Sequence, residues 1–234
     1  MVERTLIASY AEAWEEMYGE GGRAEAAARW FESQFSDGHA TSIRPLLERI
    51  RELVSEEYFD MAKRRAMEIP EGAIPECNFH PRALDLLLVH GMDYAPDIER
   101  CRNFKTLGFD PLIGQCFGNS WSLMRAVNNR DPDSAHLAYV EGLVYGYCTK
   151  PVLHAWNSFG ISDTRALDWS HYVGCEWSRY FGICISEHEH ESLRRIVFPD
   201  EPSRPVSLLD LHFYPFIEEP LTELLAARGK PVSS

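Results

Sequence analysis

Ile113-Gly114-Gln115-Cys116-Phe117-Gly118-Asn119-Ser120-Trp121 is the stretch on which the reading of this chain turns. A glycine-containing loop leads into a helix predicted over Asn119 to Asn128, with Trp121, Met124, Ala126 and Val127 as apolar candidates. A cysteine at such a junction meets free backbone N–H groups and the positive end of the helix dipole. Both favour the thiolate, which is the reactive form. The same amides can donate to an oxyanion formed when sulfur attacks a carbonyl, and Gln115 adds a candidate side-chain donor. The blander reading is a packing cysteine that opens a core helix.

Beyond the turn-rich Asn128–Asp133, strand-like runs follow at Leu137–Tyr147, Val152–Phe159, Thr164–Trp169 and Tyr180–Ile185. A thiolate nucleophile needs a proton acceptor on a rigid element. His154 lies in the second run, where period-two alternation puts Val152, His154 and Trp156 on one face. The imidazole in turn needs an acceptor to orient it, and Asp168 in the next run is the candidate. A turn over Ser158–Asp163 lets the two runs pair antiparallel. Asp163 is a rival that more simply forms the turn. Asn157 is a second rival, but it faces the opposite side of its strand from His154.

Cysteine at a helix start, histidine on a following strand and a carboxylate on the next resembles the papain-like superfamily of cysteine hydrolases. The spacing from 116 to 154 to 168 is similar to that of its transglutaminase-like branch. That branch typically shows Gly-x-Cys-Trp, where this chain has Gly114-Gln115-Cys116-Phe117. The Tyr139-Val140-Glu141-Gly142 run before Val152-Leu153-His154-Ala155-Trp156 also resembles small bacterial and phage proteins with a cysteine–histidine core. The resemblance covers about residues 112–186. It implies a Cys116 nucleophile, His154 as general base and later acid, and Asp168 fixing the imidazole tautomer. Gln115 and Trp156 are then candidates for the oxyanion and substrate-binding positions. The expected chemistry is acyl transfer from an amide through a thioester, as in a protease, deamidase, amidase or transglutaminase, with no cofactor. A protein or peptide is the expected substrate. The alternative is a non-catalytic binding or structural module with a buried Cys/His pair.

Upstream, residues 1–105 read as helical. Leu6, Tyr10, Ala13, Trp14 and Met17 recur at helical steps, as do Ala27, Trp30, Phe31 and Phe35, and then Leu46, Leu47, Ile50, Leu53 and Val54. A fourth segment spans Glu56 to Met67, Pro70–Pro75 is a break, and a short helix is predicted over Pro81–Val89. A loop and a turn near Asp97–Cys101 complete the region. The whole reads as an α+β protein. A helical region (1–105) packs on a papain-like core of a helix followed by antiparallel strands (106–190), and a C-terminal extension (191–234) turns helical over Leu221–Ala227.

The chain has 234 residues, 45% hydrophobic and 25% charged, which suits a folded domain of this size. The net charge of −13 makes nucleic acid a disfavoured main partner, because phosphate binding draws on positive field. No apolar run reaches the roughly 20 residues of a membrane span. The start Met1-Val2-Glu3-Arg4 lacks the pattern of an export signal. A cytoplasmic protein with six reduced cysteines is therefore expected. Glu187-His188-Glu189-His190-Glu191 is read as a solvated polar turn, with a metal site as its sharper alternative. Lys63-Arg64-Arg65 is read as a solvated face. Glu141 is a strand-edge residue or a buried charge near the cleft. Trp156, Trp169 and Trp177 are core residues or groove walls.

Overall fold

The computed structural model describes residues 42–45, 47–48, 82–104, 112, 115–130, 136–145, 152–169, 177, 179–210 and 213–228. The helices expected over residues 2–18, 23–35 and 56–67 lie outside them, as do Lys63-Arg64-Arg65, His171 and Cys175. Of the expected third segment, residues 44–45 and 47–48 are helical, and Ile43 and Leu47 are fully buried. The described elements, in chain order, are α1 (Ala83–His90), β1 (Met92–Pro96), α2 (Ile98–Phe104), α3 (Cys116–Arg130), β2 (Leu137–Tyr145), β3 (Val152–Phe159), β4 (Arg165–Ala166), β5 (Arg179–Ile185), α4 (Glu187–Val197) and α5 (Tyr214–Arg228).

The five strands form one mixed sheet in the order β3-β2-β5-β1-β4. All neighbours are antiparallel except β1 and β4, which run parallel, so the expected all-antiparallel core is corrected to a mixed one. β1 comes from the region read as helical. Its Met-Asp-Tyr-Ala-Pro sequence has no β-branched residue, and it is held as a strand by pairing with β5 and β4 on its two sides. The sheet curls until its edges meet. Asn157 of β3 and Leu167, just past β4, exchange both backbone hydrogen bonds, at 3.1 and 2.8 Å. Joining the edges this way leaves few unpaired strand groups.

Period-two alternation then sorts the side chains. The inner face holds Tyr94, Val140, Val144, Trp156, Ala166, Tyr180 and Cys184. The outer face carries Tyr139, Leu143, Ala155, Phe181, Ile183 and Ile185, which join α3 (Trp121, Leu123, Met124), α4 (Leu193) and α5 (Ile217, Leu221, Leu225) in the main core. Each Leu, Ile, Phe or Met among them contributes about 1.5–3 kcal/mol when fully buried. Gly142 sits opposite both His154 and Gly182, and a Cβ there would lie 2.1 Å from the Phe181 carbonyl oxygen. Only glycine lets β2 and β5 approach so closely at the level of His154.

The C-terminal extension is part of this core. Val206, Leu208 and Leu209 are fully buried in it, and α5 starts well before the expected Leu221 despite Pro220 within it. Three buried polar side chains pin the segment between α4 and α5. Arg194 donates to the carbonyls of Phe198 (2.8 Å) and Glu201 (2.7 Å), and His190 Nε2 donates to Val206 (3.1 Å). Glu141 on β2 is the third. Its carboxylate accepts from Tyr139 Oη (2.7 Å), Ser207 Oγ (2.6 Å), Leu208 N (2.8 Å) and Leu209 N (2.8 Å). Glu141 is therefore a fully buried anchor on a central strand, which corrects the strand-edge reading.

The Glu187–Glu191 run is the opening of α4, which corrects the polar-turn reading. Ser186 Oγ accepts from Glu189 N, and the Glu189 carboxylate accepts from Ser186 N at 2.7 Å. This is a capping box, in which each residue satisfies the other's free helix-end donor. His188 is exposed and His190 is buried, so the two rings share no face. Among the described residues no cluster of His, Cys, Asp and Glu could hold a metal ion. Among them, too, no helix is long and apolar enough to cross a membrane.

Candidate active site

α3 begins at Cys116, three residues earlier than the apolar periodicity indicates. The lead-in is clamped by Asn119, whose side chain donates to the Leu112 carbonyl (2.7 Å) and accepts from the Leu112 N–H (3.0 Å). Gln115 stands just before the helix. Its N–H donates to Leu112 O at 3.2 Å, and its carbonyl accepts the Asn119 N–H at 2.8 Å. Cys116 is thus the first helical residue, where the backbone N–H has no partner within the helix. No acidic residue occupies the first turn to oppose an anion there.

Two asparagines fix α3 on the outer face of the sheet. Asn157 donates to Ser120 O (3.0 Å) and Ala138 O (3.1 Å), tying helix, β2 and β3 together. Asn128 donates to Leu137 O (3.1 Å) and accepts from Leu137 N (2.8 Å) at the helix's other end. Asn157 points away from His154, as its strand position requires. Asp163, the other rival, pairs with Arg165 at 2.8 Å in the turn.

His154 and Asp168 occupy the inner side of the curled sheet, 7% and 2% exposed. His154 Nε2 lies 2.9 Å from Asp168 Oδ2. A carboxylate only accepts, so Nε2 carries the proton of that bond. Nδ1 is left free of Asp168, and Cys116 lies near enough to the imidazole to favour its charged form. Cys116 is half-buried, so solvent reaches the neighbourhood of the sulfur. Burial opposes charge on His154, yet Asp168 and Cys116 together hold its pKa well above the usual histidine value. By contrast, burial pushes the Cys101 thiol up to about 12 and raises that of Cys184, leaving both inert at neutral pH.

Of the three groups that the sequence singles out, the fold joins His154 and Asp168 by a hydrogen bond, and Cys116 stands near enough to influence the imidazole charge. Gln115 is exposed beside Cys116. Trp156 is corrected to a core residue: fully buried inside the sheet, edge-on to Tyr94 (5.6 Å) and Tyr180 (5.1 Å), it walls the inner side of His154. Trp169 and Trp177 are also buried, and Trp177 lies 5.8 Å from the imidazole ring. Sequence reasoning missed Tyr180, whose hydroxyl donates to Asp168 Oδ2 at 2.9 Å. It sits in the expected strand at an inward position, but nothing in its sequence surroundings marks the phenol as a partner of Asp168.

A cavity of about 850 Å³ lies toward the far end of α3, between Arg125, Asn128, Ile161 and His188. None of the predicted site residues lines it. Its arginines are paired, Arg125 with Glu187 at 3.8 Å and Arg195 with Glu191 at 3.0 Å. No protein-family model, curated protein or solved structure matches the chain.

Proposed function

We propose that this protein is a cysteine-dependent hydrolase or acyltransferase acting on an amide bond, with a core of the papain-like, transglutaminase-like kind. The observation that carries the reading is the buried His154–Asp168 pair, 2.9 Å apart, with the half-buried Cys116 at the start of α3 near enough to act on the imidazole charge. Cys116 Sγ attacks the carbonyl carbon of the substrate, and the free N–H groups at the start of α3 face the oxyanion that develops. The C–N bond breaks as His154 gives its proton to the leaving amine, which leaves a thioester on Cys116. Water or a second amine, deprotonated by His154, attacks the thioester and returns the thiol. Asp168 keeps the imidazole in the tautomer and orientation that both proton transfers need. The net charge of −13 disfavours a nucleic acid substrate, and a protein or peptide is the substrate class proposed.

The test is acyl trapping. With p-nitrophenyl acetate at pH 7, intact mass and peptide mapping should find one acetyl group, on Cys116. It should be missing in Cys116→Ala and strongly reduced in His154→Ala. An adduct spread over several cysteines, or a Cys116 that stays free while others react, overturns the proposal.

A further inference from the structure

Asp168 Oδ2 is shared. It accepts from His154 Nε2 and from Tyr180 Oη, both at 2.9 Å, and all three groups are buried. Tyr180 reaches it from β5, whereas His154 stands on β3 and Asp168 just past β4, and it packs edge-on against Trp156. We propose that Tyr180 is a positioning residue of this site: its hydroxyl holds Asp168 in place and takes up part of the carboxylate charge that would otherwise act on the imidazole. The inference rests on the acyl-transfer reading for its meaning, though its physical content concerns only Tyr180, Asp168 and His154.

A hydrogen bond donated to a carboxylate stabilises the charge and weakens that oxygen's pull on a second donor. His154 thereby gains enough stabilisation to hold a proton beside a thiolate, yet can still release it to a leaving group. Among the described residues, the titratable groups facing this unit come from two helices. Cys116 approaches His154 from α3, and Cys101 of α2 lies against Asp168 with Asp97 beyond it. Trp156 and Trp177 pack against the imidazole.

The experiment is an NMR titration of His154 in ¹⁵N-histidine-labelled protein, its signal assigned by its loss in His154→Ala. Tyr180→Phe keeps the ring against Trp156 and removes only the hydroxyl. The His154 midpoint should move up by about half to one pH unit. Asp168→Asn should move it down, and adding Tyr180→Phe to Asp168→Asn should then leave it unmoved, since the coupling runs through the carboxylate. An unchanged or lowered midpoint in Tyr180→Phe overturns the proposal, as does an equal shift in both backgrounds. Cys116 alkylation measured alongside separates the two readings. If Cys116 reacts no faster than an ordinary thiol while the midpoint still moves as stated, the acyl-transfer reading falls and the role of Tyr180 stands. A reactive Cys116 with an unmoved midpoint has the opposite meaning.

Discussion

With His154 replaced by alanine, Cys116 is expected to react with iodoacetamide about 20-fold more slowly at pH 6. An exposed thiol of ordinary pKa is only about 0.3% ionised at that pH, so a partner that keeps the sulfur anionic raises the reactive fraction by a few hundred-fold at most. A stabilised thiolate is also a weaker nucleophile, with a Brønsted slope of about 0.4–0.5, and this cancels roughly a tenfold part of the gain. The pH dependence is the sharper half of the prediction. At about pH 9.5 an ordinary thiol ionises without help, so the gap between wild type and His154→Ala should close. The raised pKa of His154 means that the imidazolium partner persists across neutral pH, so the gap should be open at pH 7 as well. Equal rates at pH 6, or a ratio constant from pH 6 to 9.5, would show that His154 does not act on the sulfur.

The largest effect on stability is expected at Glu141. Removing its carboxylate in Glu141→Ala strands four buried donors: the hydroxyls of Tyr139 and Ser207 and the N–H groups of Leu208 and Leu209. Each unsatisfied donor costs about 1–3 kcal/mol, offset in part by no longer burying the carboxylate, so a net loss of about 4 kcal/mol is expected. For a chain of this length that lowers Tm by about 12 °C. Hydrogen exchange should lose protection first at Leu208 and Leu209. A loss under about 1 kcal/mol would mean that water or a shifted strap replaces the carboxylate.

The same residue gives stability a pH slope. Burial pushes the Glu141 carboxyl up to about 7 against the pull of its donors from Ser207, Leu208, Tyr139 and Leu209. Between its ordinary value near 4.5 and pH 7 the folded state therefore holds a proton that the unfolded state has lost. The contribution of Glu141 is full below that window and falls across it, by on the order of 3 kcal/mol. The cost of Glu141→Ala, measured by urea denaturation, should accordingly be greatest near pH 4.5 and smallest near pH 8. His190 has the opposite sign. Burial lowers its pKa to about 4, so its contribution is full above its ordinary value and is lost as pH falls toward 4. In Glu141→Ala the His190 slope should therefore emerge, with stability rising with pH between about 4 and 6.5.

Local chemistry made parts of this architecture readable. The strands at 137–145, 152–159 and 179–185 announce themselves by β-branched and aromatic runs between turn residues. The alternation along β3 correctly separates His154 from Asn157. The polar composition of Glu187–Glu191 suggests a turn, and the capping box between Ser186 and Glu189 overrides it. β1 was not readable, because Met-Asp-Tyr-Ala-Pro has weak strand propensity and becomes a strand only between two partners. Glu141 reads as an ordinary strand charge until the segment around residue 208 folds across it.

By itself, then, the sequence determines which residues can do chemistry and on which face of a strand or end of a helix each one stands, because helix starts and period-two alternation are set by near neighbours. Only the tertiary structure decides that the sheet curls until Asn157 meets Leu167, that Cys116 arrives beside His154, and that Tyr180 joins at Asp168. Those contacts join residues far apart in the chain. Their geometry depends on the closeness of β2 and β5 at Gly142 and on the asparagine ties of α3, which no local pattern encodes.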